Sequence, residues 1–294
     1  AGGRPFRDFV DINPPTIYQL TRFPVRIAVW TGLDPARAAN IGYYLLMLLP
    51  LGAGAWLLRQ AWSGPSRNAV TATFAMVWLH VGLGVLYVMQ YGQRDQLVIV
   101  FLLPAMLLSA IRLSGGRPTR LPAAAAGLCA LVALLIKPQY ALVLILLELL
   151  LRWKQPALRR RLLPEHGVLL AGAVLAAAWL WSMPGFHAYL FTWAPLFARY
   201  YGAYGTGLPN LVEYLSTDVI TRFLLLGAFV AALLPNRRGD VLQDALLRVF
   251  LLAGAAALAI YFLQGKGWFY HRLPLWYVAG GVLALGLAHW MAGQ

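Results

Sequence analysis

The chain has 294 residues, of which 61% are apolar and 12% charged, against about 45–50% and about 25% in a soluble domain. That balance excludes an ordinary soluble globule and indicates an all-α polytopic membrane protein, organised by spans of roughly 20 mostly apolar residues. A net charge of +14 suggests nucleic acid for a soluble chain, but in a membrane protein its distribution over the loops sets orientation, and no nucleic-acid partner is expected.

The first stretch, Arg4-Pro5-Phe6-Arg7-Asp8-Phe9-Val10-Asp11-Ile12-Asn13-Pro14-Pro15, sets two carboxylates and two guanidiniums before a double proline. Asp8 and Asp11 are three apart, so a helical turn would put them on one face. A carboxylate at the membrane surface can take the proton of a sugar hydroxyl and make its oxygen a nucleophile. The same two residues also suit a helix cap or pairing with Arg4 and Arg7. From Pro15 to Trp30 the apolar spacing is near helical but includes Arg22, Pro24 and Arg26, which fits a helix lying in the interface. Asp34-Pro35 reads as an N-cap followed by proline at the first helical position. With Ala1 in place of an initiator methionine, a helix preceding residue 1 is expected.

Apolar runs follow at 38–58, 69–88, 96–111, 121–136, 139–151, 166–183, 219–234, 247–263 and 273–292. A single helix over 121–151 would be about 45 Å long, too long for an apolar core about 30 Å thick, and would strand Lys137 at its middle. Two short helices meeting at Lys137-Pro138-Gln139 avoid this. The arginines and lysines at 59–67, 112–120, 152–161 and 237–238 then share one face, which the positive-inside rule makes cytoplasmic. Nine spans result, in one transmembrane domain over 1–294, with the N-terminus outside and the C-terminus inside. The outer face receives 1–36, Gln90 to Asp95, Lys137-Pro138-Gln139, the long 184–218 loop and Gln264 to Arg272.

Each of these outer segments keeps cations on the disfavoured side, among them Arg94, Lys137, Arg199, Lys266 and Arg272. Convergence on an anionic ligand is the functional reading, and scattered interfacial snorkelling the other. Asp95 is placed either to N-cap a helix starting at Gln96 or to join Arg94 in a site. Pro138 stops a regular helix, so Lys137 sits where backbone groups can face a cavity. In Gln264-Gly265-Lys266-Gly267-Trp268-Phe269-Tyr270-His271-Arg272 the glycines allow close backbone approach, Lys266 and Arg272 bring charge, and Tyr270 and His271 can hydrogen-bond oxygens. An aromatic belt with anchoring cations accounts for Trp268 and Tyr270 alone. The aromatic-rich 184–218 loop fits an interfacial helix or a surface that stacks on sugars. The single Cys129 reads as a small core residue. No phosphate loop, Cys/His metal spacing or serine nucleophile elbow occurs in the sequence.

The stretch Gly3 to Pro15 resembles the first outer loop of the GT-C membrane glycosyltransferases, in particular the protein-mannosyltransferase and aminoarabinose-transferase-like group. Gly92-Gln93-Arg94-Asp95, Lys137-Pro138-Gln139 and Gly265 to His271 are similar to further outer-face signatures of bacterial members. The resemblance implies a GT-C-like bundle in the bacterial inner membrane. It implies transfer of a sugar from a polyprenyl-phosphate carrier to a glycan, lipid or protein acceptor on the periplasmic side, with inversion in a single displacement. Asp8 or Asp11 would be the base or its partner. Arg94, Lys137, Lys266 and Arg272 would hold the carrier phosphate, His271 the phosphate or sugar, and Arg7, Asp95, Gln139 and Tyr270 would complete the substrate contacts. No cofactor is assigned, and a divalent cation is left open. In many relatives an acidic residue lies further upstream, before the first residue of this chain. Fixed cations beside the leaving phosphate would stabilise the charge that develops in the transition state. A transporter or flippase of lipid-linked sugars would use the same cations without a base. A structural subunit of a polysaccharide assembly complex would need neither.

Overall fold

A computed structural model describes residues 15–61, 93–203, 205–233 and 241–293. Among them the protein is entirely helical. The helices are α1 (Pro15–Thr31), α2 (Pro35–Ala61), α3 (Arg94–Leu113), α4 (Arg120–Ile136), α5 (Ala141–Lys154), α6 (Pro164–Trp181), α7 (Ala194–Ala203), α8 (Leu208–Thr217), α9 (Val219–Leu233), α10 (Val241–Gln264) and α11 (Leu273–Gly293). Eight of the nine expected apolar runs fall on these helices. The run 69–88 lies outside the described residues, as does the 1–14 part of the first outer loop.

Four helices, Pro35–Gln60, Arg94–Leu113, Pro164–Trp181 and Val241–Gln264, are long and apolar enough to cross a membrane. Leu208–Thr217 and Val219–Leu233, bent by 80°, make a fifth if they form one span. The helices flanking the expected break are shorter, 17 residues in α4 and 14 in α5, below the roughly 20 of a full crossing.

Helix α3 is the axis of the bundle. Its sequence is apolar on every side, the pattern of a helix with no solvent face, and nearly every residue from Asp95 to Ile111 is buried. Around it pack α2, α4, α5, α10 and α11, while α1 leans on α2, α6 on α4 and α9 on α11. The core is mainly Leu, Ile, Val and Ala, with Trp276 and Tyr140 the largest side chains sealed within it. Asp34 caps α2 as its sequence predicts, its Oδ1 accepting from the amides of Ala36 and Arg37 at 2.9 and 3.2 Å. The 184–218 segment is mostly helical, containing α7, α8 and two short turns between Phe186 and Trp193.

Two chain breaks define one end of the bundle. Helix α4 stops at Ile136 because Pro138 has no amide to donate and forces the residue before it out of the helical region. Lys137 is accordingly extended, with φ −144° and ψ 95°. A 3-10 turn, Pro138–Tyr140, leads into α5. The second break joins α10 to α11, where Gly265 and Gly267 both adopt φ +64°, a left-handed conformation open to glycine at little cost. The opposite end carries Arg112, Arg152 and Arg159 to Arg161, and is tied by Gln60 to Thr119 at 2.8 Å and by Gln155 to the Leu113 carbonyl at 3.3 Å.

Candidate functional site

The helix carrying Asp95 begins at Arg94, with Gln93 at its N-cap. Asp95 therefore lies in the first turn and does not cap the helix. It is fully buried, and Lys137 fills the space beside it: Lys137 Nζ donates to Asp95 Oδ1 at 2.8 Å and Oδ2 at 2.7 Å. The Tyr140 hydroxyl donates to Asp95 Oδ1 at 3.2 Å, and Lys137 Nζ also donates to Gln264 Oε1 at 3.3 Å. The Asp95–Lys137 pair thus joins the start of α3, the α4–α5 break and the end of α10. A buried charge is tolerated when its partner and hydrogen bonds are supplied in this way.

The turn after α10 lies against this pair. The Tyr270 ring is 6.0 Å from Lys137 Nζ, and the His271 ring is 4.5 Å from Tyr270 and 5.4 Å from Trp268. His271 is 6% exposed, and its Nδ1 has no hydrogen-bond partner among the described residues. Burial, followed by the positive charges of Lys137, Arg94 and Lys266, pushes its pKa from the usual 6.5 down to about 3. It is a neutral imidazole at physiological pH, able to donate from one nitrogen and accept at the other. The Lys266 ammonium lies 5.6 Å from the Trp268 ring centroid, and burial lowers its pKa from the ordinary lysine range.

Arg272 is anchored differently. Its Nη2 donates to the Gly267 carbonyl at 3.3 Å, and Nη1 lies 3.7 Å from Asp218 Oδ2. The guanidinium stands over Tyr214 and Phe269, at 5.9 and 5.7 Å from the ring centroids. Asp218 accepts from the Thr221 amide at 2.9 Å and from the Thr221 hydroxyl, and that hydroxyl accepts from Trp276 Nε1 at 2.7 Å. This arrangement fastens the α8–α9 corner to α11.

Of the residues expected at a site, Arg94, Asp95, Lys137, Lys266, Tyr270, His271 and Arg272 share one end of the bundle. Gln139 is on the same turn as Lys137 but exposed. Arg7, Asp8 and Asp11 lie outside the described residues. Among the described residues at this end, Lys137 is paired with Asp95 and Arg272 lies beside Asp218, and Arg94 and Lys266 bring further positive charge to the same region. Among the described residues no group of three or more His, Cys, Asp or Glu is placed to hold a metal ion. The sequence reading passed over Thr221 and Trp276. It assigned no role to Asp218 either, although an Asp directly before an apolar run is an N-cap pattern that could have pointed to it, whereas a Trp inside an apolar run carries no such signal.

No family model, curated protein or solved structure matches the chain. The reading of the site therefore rests on its residues and geometry.

Proposed function

We propose that the chain is a membrane glycosyltransferase that takes a sugar from a polyprenyl-phosphate donor and passes it to an acceptor at the outer face of a bacterial inner membrane. One observation carries this reading: the start of α3 with Arg94 and Asp95, the α4–α5 break with Lys137, and the turn with Lys266, His271 and Arg272 meet at one end of the bundle. There Lys137 bonds Asp95 and lies against Tyr270, and Tyr270 and Trp268 pack on His271. In a nine-span topology with the N-terminus outside, this end of the bundle faces the periplasm, and so does the 1–36 loop with Asp8 and Asp11.

The chemistry divides as follows. Asp8 or Asp11 takes the proton from the acceptor hydroxyl as its oxygen attacks the anomeric carbon. The bond to the carrier phosphate breaks on the opposite side, and the configuration inverts. Negative charge grows on the leaving phosphate, where Lys266 and Arg94 stabilise it more strongly in a partly desolvated site than they would in water. Lys137 holds Asp95 and Arg272 lies beside Asp218; both shape the site and add to its field. Neutral His271 hydrogen-bonds a phosphate oxygen or a sugar hydroxyl.

The test is sugar transfer by purified protein given the lipid-linked donor and an acceptor, followed as release of free polyprenyl phosphate. Asp8→Asn or Asp11→Asn is expected to abolish release while the protein stays folded. Full activity in both variants would remove the proposed base, and carrier movement across the bilayer without release would make the protein a flippase.

A further inference from the structure

A second feature lies away from this site. Helices α3, α4, α5 and α6 enclose an apolar cavity of about 540 Å³, extending from Leu134 and Ala141 to Arg112, Glu148, Glu165 and His166. Its lining includes neither Lys137 nor any residue of the Gln264–Arg272 turn. Helix α6 forms one wall by leaning on α4 through two glycines. A Cβ at Gly127 would come within 2.7 Å of the Glu165 carbonyl oxygen, and one at Gly172 would strike the Leu131 side chain. Helix α6 also presents Val174 and Leu175 outward, and the lining residue Leu170 is itself exposed, so the cavity opens beside a wall that faces hydrocarbon in a bilayer.

The charged end of the cavity is already internally paired. Arg112 Nη2 donates to Glu165 Oε2 at 2.8 Å, and Glu148 accepts from Arg152 Nε and lies 3.2 Å from His166 Nε2. Arg152 also donates to the carbonyls of Leu158, Arg159 and Arg161. It thereby fastens the 156–161 turn beside this end; Arg159, Arg160 and Arg161 on that turn are exposed, and Arg159 Nε donates to the Arg152 carbonyl at 3.2 Å. Because Glu148 and Glu165 are each occupied by an arginine, these three cations meet the adjoining leaflet as excess positive charge.

We propose that the cavity holds one acyl chain of an anionic phospholipid drawn from the leaflet on the arginine-rich side, with the headgroup phosphate at Arg159 to Arg161. The volume falls within the roughly 300–1,000 Å³ of sites for single small molecules. The Leu and Ala walls offer water no hydrogen bonds. Clustered basic residues at a membrane surface attract anionic headgroups. The donor's polyprenyl chain is the poorer occupant, because the cations proposed for its phosphate lie at the other end of the bundle.

The experiment is native mass spectrometry of the full chain, reconstituted in vesicles of equimolar phosphatidylglycerol and phosphatidylcholine and released in mild detergent. Wild type is expected to retain one phosphatidylglycerol per chain, several-fold in excess of phosphatidylcholine. Ala173→Trp, which plugs the cavity from an exposed lining position, should lose that lipid. Val174→Trp, at the neighbouring exposed position outside the lining, should keep it and shows that a tryptophan on α6 is tolerated. The combined Arg159→Ala, Arg160→Ala, Arg161→Ala variant should retain a lipid with no headgroup preference. The proposal is overturned by wild type that emerges without lipid, by equal retention of both lipids in wild type, by undiminished retention in Ala173→Trp, or by a dimer or bound polyprenyl phosphate in place of the phospholipid.

Discussion

Lys137 Nζ sits 2.7 Å from Asp95 Oδ2, with both side chains sealed from solvent, and this contact fixes the α4–α5 break against the start of α3. Removing either partner leaves an uncompensated buried charge, at a cost of about 3–5 kcal/mol. Asp95→Leu or Lys137→Met alone should therefore lower the thermal unfolding midpoint in detergent sharply. The double variant Asp95→Leu, Lys137→Met should recover most of the loss. Additive losses in the double-mutant cycle would mean that the two residues act independently.

His271 gives the fold a pH dependence with a definite sign. Its folded pKa of about 3 lies below the ordinary 6.5, so between these values the unfolded chain takes up a proton that the folded chain refuses. Stability is then lost as pH falls from about 6.5 toward about 3, by up to one proton per chain. Unfolding midpoints measured from pH 7 to pH 4 should fall in wild type. The decline should be shallower in His271→Gln, which cannot be protonated.

The two glycines of the α10–α11 turn predict different costs. Both have φ +64°, so alanine at either meets the left-handed penalty of about 1–2 kcal/mol. At Gly265 the nearest atom to an added Cβ is the Phe262 carbonyl oxygen at 3.9 Å, whereas at Gly267 the methyl group would collide with the Tyr214 ring, which packs under Arg272. Gly267→Ala should destabilise more than Gly265→Ala, and it alone should weaken anion binding. Equal losses in both measurements would show that Tyr214 yields freely.

Thr221 and Trp276 supply a fourth comparison. Thr221→Val deletes the hydroxyl that joins Trp276 Nε1 to Asp218 and removes a hydrogen bond between buried groups, at about 0.5–1.5 kcal/mol. Trp276→Phe removes the donor itself and should cost less through hydrogen bonding, although it also loses packed volume. Comparing Thr221→Val in the wild-type and Trp276→Phe backgrounds isolates the bond. A Thr221→Val penalty that persists undiminished without the indole would assign it to Asp218 alone.

The local parts of this architecture were legible in the sequence because their causes are local. Pro138 breaks the 121–151 run by lacking an amide, Asp34 caps α2 through amides two and three residues on, and the apolar runs become helices wherever they are described. What the sequence hid depends on residues distant along the chain. Asp95 faces Lys137 across 42 positions, so its first-turn place in α3 decided its partner, and a local N-cap reading could not foresee that. The neutrality of His271 arises only when folding buries it and brings Lys137, Arg94 and Lys266 near it. The short helices expected beside Lys137 are α4 and α5, of 17 and 14 residues, whereas the 247–263 run understated α10, which begins at Val241 and has 24.

The central claim is that the cations at this end of the bundle bind the phosphate of a polyprenyl-phosphate sugar, and equilibrium binding of that donor to purified protein tests it most directly. Each charge-assisted contact is worth about 1.5–3 kcal/mol, so Lys266→Gln and Arg94→Gln should each weaken binding by about 10- to 100-fold and reduce its salt dependence. Unchanged donor affinity in both folded variants would contradict the assignment.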